Sequence, residues 1–201
     1  ASEPSKASVD EAQLAGFINT RHTYRKRFAP QEVNAQALEQ LIEAAEREGA
    51  RLTPLLSGGA RHPASVLVAE GDAAQWADLS WRRELASWMH PQRRGDGLAI
   101  PALAVPATRF VVRTFNMGGR VGTKNRQLAE TAPLLAVLST DSDHPRDWLR
   151  AGQALQRILL TGCKYGLQAS FLNQPIQVAS LRFKFQSVVG AAFPQILLRM
   201  G

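Results

Sequence analysis

An apolar run in the second half of the chain, residues 134–139, constrains the fold more than any other feature. It consists of Leu-Leu-Ala-Val-Leu-Ser and lies between Pro133 and Asp141. A short apolar run closed at both ends by turn-forming residues predicts a buried strand. The following segment, 147–166, has apolar and small residues at helical spacing and predicts a long helix. Since a buried strand needs cover on its faces, we predict a sheet with helices packed against it.

Other segments predict a mixture of helices and short strands without an internal repeat. The predicted helices are 10–19, 30–49, 62–70, 79–89 and 179–188, the second opened by Pro30 and ended by Gly49. The predicted strands are 51–56, 109–115, 167–172 and 195–199, and the predicted loops are 91–106 and 117–122. This order favours the α+β class, with helices packed on a small central sheet.

Composition excludes several classes of protein. Hydrophobic residues make up 45% of the 201 residues and charged residues 20%, as in an ordinary globular domain. No apolar run approaches the roughly 18 residues of a membrane span, so we expect no membrane association. A single cysteine excludes an internal disulfide and favours a cytoplasmic location. We predict a flexible tail over 1–8, without the apolar core of a secretory signal, and one domain over 9–201.

Metal binding and nucleic-acid binding are both disfavoured. The four histidines lie in separate predicted turns and show no metal-ligand spacing. The formal net charge of +7 favours anionic partners, first of all phosphate-bearing small molecules. Because the basic residues are spread along the chain and no nucleic-acid-binding motif is present, we expect no nucleic-acid partner.

A basic segment near the start of the chain is the first candidate site. Arg21, Thr23 and Arg25 alternate, so in extended backbone all three side chains point to one face. Two guanidinium forks around a hydroxyl match the oxygens of a phosphate group. On composition alone, a solvated basic turn is the more common explanation of such a run.

A polar turn after the predicted strand 167–172 is the second candidate. Asn173 and Gln174 offer amide groups beside the rigid Pro175, at a strand end of the kind that often lines ligand sites. Amides donate and accept hydrogen bonds at once, which suits the edge of a heterocycle. Taken alone, a polar connecting turn is again the more common explanation.

Taken in order, these pieces resemble the nitroreductase family of FMN-dependent oxidoreductases. Residues 21–28 are similar to the family's N-terminal phosphate motif, and Ala132-Pro133 to its entry into a core strand. The other matching segments are 151–167, 173–176 and 193–201. Residues 81–89 and the helix at 151–156 resemble most closely the second half of the Acg-type flavin-binding proteins.

The resemblance implies a nitroreductase-like fold, with helices around a small, mostly antiparallel sheet and FMN held between two such units. A homodimer is therefore expected. The residues implied in cofactor binding are Arg21, His22, Thr23 and Arg25 at the phosphate, and Asn173, Pro175, Ile176 and Gln177 along the isoalloxazine ring. A backbone N–H near Gln177 would reach flavin N5. No protein side chain is implied as a catalyst, because the flavin carries the redox chemistry.

Two functions follow from the resemblance. The first is an oxidoreductase that takes hydride from NAD(P)H and passes electrons to nitro compounds or quinones. The alternative is a flavin-binding or sequestering protein with little turnover. The family's Asn-rich segment is missing near Thr53-Pro54, and the segment 81–106 is rich in Trp and Pro, which favours the alternative. We predict that residues around 75–120 form a lid or an insertion beside the flavin.

Overall fold

In the computed structural model, which describes residues 9–56, 59–91 and 98–201, helices cover a small antiparallel sheet. In chain order the elements are α1 (Val9–Ala15), α2 (Ala35–Glu46), β1 (Arg51–Pro54), α3 (Arg61–Ala77), α4 (Leu79–Ser87), β2 (Met89–His90), β3 (Leu98–Ala99), α5 (Val105–Thr114), α6 (Gly118–Glu130), β4 (Leu134–Thr140), α7 (Pro145–Lys164), β5 (Ala169–Phe171), α8 (Gln174–Gln177), α9 (Ala179–Val189) and β6 (Phe193–Met200). A 3₁₀ turn, Ala102–Ala104, precedes α5.

Four strands form the main sheet in the order β1-β4-β6-β5, and every neighbouring pair is antiparallel. The pairs Leu52–Leu138 and Ala136–Leu198 fix the register of the middle strands. At the other edge, Ser170 of β5 lies opposite Arg199 of β6. The α+β class and the strand predicted at 134–139 are confirmed.

Both faces of β4 are buried, which explains why its sequence is apolar at almost every position. Leu134, Ala136 and Leu138 join the core cluster under α2 and α7. Leu135 and Val137 point the other way, into the cluster under α3 and α9. Burial of each large aliphatic side chain contributes about 1.5–3 kcal/mol, so this strand holds the two helical layers together.

The second helix begins later than predicted. We expected a start at Pro30, but α2 begins at Ala35. Asn34 is the reason, since its side-chain oxygen accepts a hydrogen bond from the Gln36 backbone N–H at 2.8 Å and caps the helix. The residues between Pro30 and Asn34 are left as an irregular connection.

Two predictions in the middle of the chain are wrong. Of the predicted strand 109–115, residues 109–114 belong to helix α5, and of the predicted loop 117–122, residues 118–122 begin helix α6. The glycines of α6 mark a close crossing with α3. A Cβ atom on Gly122 would lie 2.9 Å from the backbone oxygen of Ala69, and one on Gly118 would lie 2.9 Å from the Cα of Ala73.

Some predictions fall on residues that the structure does not describe. The predicted tail 1–8 lies outside the described residues, as does 92–97 of the predicted loop 91–106. The remainder of that loop contains β3 and the 3₁₀ turn. Of the helices described, none has the length and apolar character needed to cross a bilayer.

Candidate functional site

The basic N-terminal segment lies along the open edge of β5. Thr23 forms a parallel bridge with Ala169, and the Tyr24 backbone N–H donates to the Ala169 oxygen at 2.9 Å. An edge strand offers unpaired backbone groups, and here the segment after α1 uses them. The docking brings this segment beside Ser170 and Arg199, which pair across β5 and β6.

A cleft of about 370 Å³ opens where the segment meets the sheet. Three of its lining side chains are cationic and two carry hydroxyl groups, whereas none is a carboxylate. The lining residues are Thr23, Arg25, Lys124, Asn125, Leu128, Ser170, Phe171, Leu172 and Arg199. A concave surface with this charge balance attracts anions.

Arg199 is the most unusual residue of the cleft, because its side chain is only 1% exposed. One guanidinium nitrogen, Nη2, donates to the backbone oxygens of Tyr24 at 3.2 Å and Lys26 at 3.0 Å. The guanidinium also lies 4.6 Å from the ring centre of Phe28. Its Nε and Nη1 atoms have no hydrogen-bond partner among the described residues. Burial lowers the pKa of Arg199, since the charged form is partly desolvated.

Ser170 adds a second buried group without a partner, its hydroxyl oxygen. A buried polar group left unsatisfied costs about 1–3 kcal/mol, and more when it is charged. An anion with several oxygens would accept hydrogen bonds from Arg199 and Ser170 and balance the buried charge. The cleft therefore fits a phosphate group better than a neutral ligand.

The four basic-segment residues named from the sequence are not all in the same place. Thr23 and Arg25 line the cleft. Arg21 lies near Cys163, where its charge weakly opposes the burial that raises the pKa of that thiol. His22 is exposed, and its backbone N–H lies 3.3 Å from the Gln168 side-chain oxygen, which accepts this hydrogen bond.

The polar turn named from the sequence forms the short helix α8. Asn173 precedes it and accepts a hydrogen bond from the Leu197 backbone N–H at 2.9 Å, which attaches the turn to β6. Pro175 is fully buried, Ile176 packs on the core, and Gln177 is exposed. The backbone N–H groups of Ile176 and Gln177 both donate to the Asn173 oxygen at 2.9 Å.

Helix α3 holds α8 in position through three contacts. The carboxylate of Asp72 accepts hydrogen bonds from Gln174 Nε2 at 3.2 Å and from Asn125 Nδ2 at 2.9 Å. Gln75 Nε2 donates to the Gln177 side-chain oxygen at 2.9 Å. A Cβ on Gly71 would lie 2.6 Å from the Cβ of Gln174, so the helices are in close contact. Because Asn125 lines the cleft, Asp72 links α8 to the cleft.

Burial also affects the pKa of Asp72. Desolvation raises the pKa of this carboxyl, and the hydrogen bonds from Asn125 and Gln174 partly oppose the rise. Asp72 is only 3% exposed, and the two side chains that donate hydrogen bonds to it are neutral amides. Its role here is to orient two amide side chains.

The segment expected to form a lid has a core of its own next to α3. Trp76 lies one residue after Gln75 and meets Trp81 edge-on, with ring centres 5.6 Å apart. Ala86, Met89 and Val112 complete the buried part of this cluster. The last turn of α3 therefore belongs to this cluster through Trp76. Through Gln75 it also contacts the exposed side chain of Gln177 on α8.

Sequence reasoning missed Arg199, Lys124 and Asp72. A signal for Arg199 was present, because an arginine interrupts the apolar closing strand 193–200. Lys124 and Asp72 have no distinctive neighbours in the sequence. Within the described part of the chain, no group of three or more His, Cys, Asp or Glu side chains could hold a metal ion.

Comparison with known proteins places this geometry in a family context. The family model described as the nitroreductase family matches residues 18–201. A protein found in two strains of Mycobacterium tuberculosis, provisionally named an NAD(P)H nitroreductase, is 27% identical over 204 residues. The match covers 98% of this chain but 57% of that protein, so the chain spans little more than half the length of these curated relatives.

Solved structures show the same fold. The FMN-dependent nitroreductase NfnB of Mycobacterium smegmatis, crystallised with NADPH, superposes with a TM-score of 0.57 at 16% identity and covers 94% of this chain and 87% of its own. The FMN- and NADPH-dependent NfnB of a Sphingopyxis strain (HMH) gives 0.55 at 17% identity, with the same coverage of both chains. At sequence identities this low, the comparison shows a shared fold only.

Proposed function

Because the chain belongs to the nitroreductase family, we propose that it is an FMN-binding oxidoreductase that accepts hydride from NAD(P)H and reduces nitro compounds or quinones. The observation that carries the proposal is the cleft beside β5, where Arg199 and Ser170 are buried with unpartnered donors. When bound, FMN supplies the hydride acceptance and electron transfer. The protein binds and orients its ligands, and no side chain is required as an acid or a base.

The cleft would hold the phosphate group of FMN. Thr23 and Arg25 come from the N-terminal segment, while Lys124, Ser170 and Arg199 complete the set from α6, β5 and β6. This combination of fixed hydroxyls and guanidinium groups suits a dianion. Arg21 and His22, from the same segment, remain in the proposal as neighbours of the phosphate.

The ring of FMN would lie towards α8. Leu172 lines the cleft, and Asn173 follows it directly in the chain, so the phosphate site leads to Pro175, Ile176 and Gln177. The Gln177 N–H already donates to the Asn173 oxygen. A contact from this N–H to flavin N5 would therefore share that donor or replace its present bond.

The proposed function is tested on the purified full chain. We expect a yellow protein with flavin absorbance that exchanges free FMN, and bleaching when NADPH or NADH is added without oxygen. Reoxidation by a quinone or a nitroaromatic compound completes the test. Failure of the protein to bind FMN would overturn the proposal, as would bound flavin that neither dinucleotide reduces.

Flavin storage with little turnover is the second candidate, and the position of the Trp76 cluster favours it. Since Gln75 contacts Gln177, the cluster begins beside the proposed ring site. Hydride transfer needs the nicotinamide carbon within about 3.5 Å of its acceptor, so a covered ring would react slowly. Anaerobic stopped-flow separates the two functions: fast bleaching supports the oxidoreductase, and stable FMN binding without bleaching supports storage.

We further propose that the chain pairs with a second copy of itself. Four residues of α7 form an exposed stripe at helical spacing, namely Leu149, Gly152, Gln153 and Gln156. In the described part of the chain, no atom outside the helix lies within 4 Å of the Cβ position of Gly152, so another chain could approach closely there. Gly162, by contrast, is already used within the chain, because its Cβ position lies 2.6 Å from Met200 Cε.

A further inference from the structure

A second basic cleft, of about 590 Å³, adjoins the phosphate cleft. The two clefts share Arg25 and Lys124, so the same cations border both. The second cleft adds Lys26, Arg27, Gln127 and Thr131 to these. We call it the outer basic cleft.

The cations of the outer basic cleft have no acidic partners among the residues that the structure describes. Arg25, Lys26, Arg27 and Lys124 form none of the ion pairs found there, and no carboxylate lines the cleft. Arg126 on the same helix shows the contrast, since it pairs with Glu130 at 3.0 Å. Four cations gathered without counter-charges repel each other and raise the local attraction for anions.

The loop that carries three of these cations is held in place before any ligand binds. Arg199 Nη2 donates to the backbone oxygens of Tyr24 and Lys26, on either side of Arg25. Tyr24 stacks on the buried Phe28 with ring centres 5.1 Å apart. A fixed loop loses less conformational entropy when it binds, which favours ligand affinity.

We propose that the outer basic cleft binds a second phosphate group next to the first. Because Arg25 and Lys124 border both clefts, the two phosphates would be close neighbours, as they are in a diphosphate. Arg27 and Lys26 would bind the outer phosphate, and the Gln127 amide could donate to it. The ligand class is thus a phosphate-bearing molecule, such as a nucleotide, that binds beside the phosphate of FMN. The proposal rests on the proposed function only for the identity of the group attached to the first phosphate.

The test compares ligands that differ by one phosphate, using the full chain and calorimetry. Wild-type protein without flavin should bind pyrophosphate about 10- to 100-fold more tightly than inorganic phosphate. The double variant Lys26→Gln/Arg27→Gln should lose that advantage and keep its affinity for phosphate and FMN within about threefold. The control variant Arg113→Gln/Arg120→Gln removes two exposed cations that line neither cleft and should behave as wild type.

ADP serves as the nucleotide probe of the outer basic cleft when FMN is already bound. ADP binding to the FMN-loaded protein that disappears in the Lys26→Gln/Arg27→Gln variant would support the outer subsite. Equal affinity for phosphate and pyrophosphate, combined with no ADP binding, would overturn the proposal, as would an equal loss in the control variant. If pyrophosphate is preferred but no flavin binds, the proposed function fails and the outer subsite stands.

Discussion

Asp72 on α3 and Gln174 at the start of α8 lie 102 positions apart in the sequence and are joined by a hydrogen bond of 3.2 Å. The second carboxylate oxygen of Asp72 accepts from Asn125, which lines the phosphate cleft. One buried carboxylate therefore orients a side chain at each end of the proposed flavin site. The amide oxygen of Gln174 is itself buried without a hydrogen-bond partner among the described residues, so reversing the amide would break no hydrogen bond of that oxygen.

Replacing Asp72 separates its hydrogen bonding from its charge. Asp72→Ala removes the acceptor of two half-buried amide groups and should lower the free energy of unfolding by about 0.5–1.5 kcal/mol for each. Asp72→Asn should cost less than about 1 kcal/mol, because a reversed Gln174 amide could accept from the new amide group. Urea denaturation measures both. Equal losses of stability in Asp72→Ala and Asp72→Asn would show that the hydrogen bonds of Asp72 do not stabilise the fold.

Stability should depend on pH through the same carboxyl group. Burial raises the pKa of Asp72 in the folded protein above its unfolded value of about 3.9. The folded protein thus holds more protons than the unfolded chain between these two pKa values, so its stability falls as pH rises through that window. Asp72→Asn cannot titrate and should gain stability relative to wild type as the pH rises above about 4. Urea denaturation at several pH values measures the unfolding free energy of wild type and Asp72→Asn. A difference between them that does not vary with pH would contradict this prediction.

Close packing of α3 against α8 can be tested at Gly71. A Cβ there would lie 2.6 Å from Gln174 Cβ and 2.9 Å from its carbonyl carbon, so α8 must move. We expect Gly71→Ala to destabilise the fold by about 1–3 kcal/mol and to weaken binding of both FMN and riboflavin. Gly119→Ala is the control, since no described atom outside its own helix lies within 4 Å of its Cβ position. Thermal unfolding with flavin titration measures both, and matching behaviour of the two variants would count against the packing argument.

The phosphate contact of Arg25 should separate FMN from riboflavin, which lacks the phosphate. Arg25→Gln removes one charge-assisted contact and should weaken FMN binding by about 10- to 100-fold, with little change for riboflavin. Arg25 is exposed and forms no ion pair within the described part of the chain, so the fold should tolerate the change. Fluorescence titration with each flavin provides the measurement. An equal loss for both flavins would mean that Arg25 supports the structure and does not contact the phosphate.

Sequence alone predicted the elements whose pattern depends on local burial. The run 134–139 is apolar throughout because both faces of β4 are covered, and its prediction needed no knowledge of its partners. Gly118 and Gly122 were interpreted as loop residues because glycine is ambiguous on its own. Only the close approach of α3 at Ala69 and Ala73 shows that these glycines serve a helix crossing.

The candidate site was predictable only in part, for a similar reason. Thr23 and Arg25 alternate in an extended segment, and the edge of β5 keeps that segment extended. Arg199, in contrast, is buried because the segment 20–28 lies over it, and no local pattern encodes that contact. Asp72 is a single acidic residue in a helix, and its function depends on amides that come from distant elements.

Pairing of two chains through α7 is the last prediction. Leu149 is 72% exposed, and Gly152 follows one turn later on the same side. An apolar side chain beside a glycine allows close packing of a second helix, so wild-type protein should be a dimer by light scattering. Gly152→Arg would place a charge in that contact and should weaken association at least about tenfold.

The control for this variant is Phe183→Glu. It changes a side chain that is 78% exposed but belongs to α9 and not to the α7 stripe, and should leave the dimer intact. Because Gly152 has free space around it, Gly152→Arg should keep the far-ultraviolet circular dichroism of the folded chain. A wild-type monomer that binds FMN fully would reject pairing as a condition for the site. A dimer unaffected by Gly152→Arg would place the interface elsewhere.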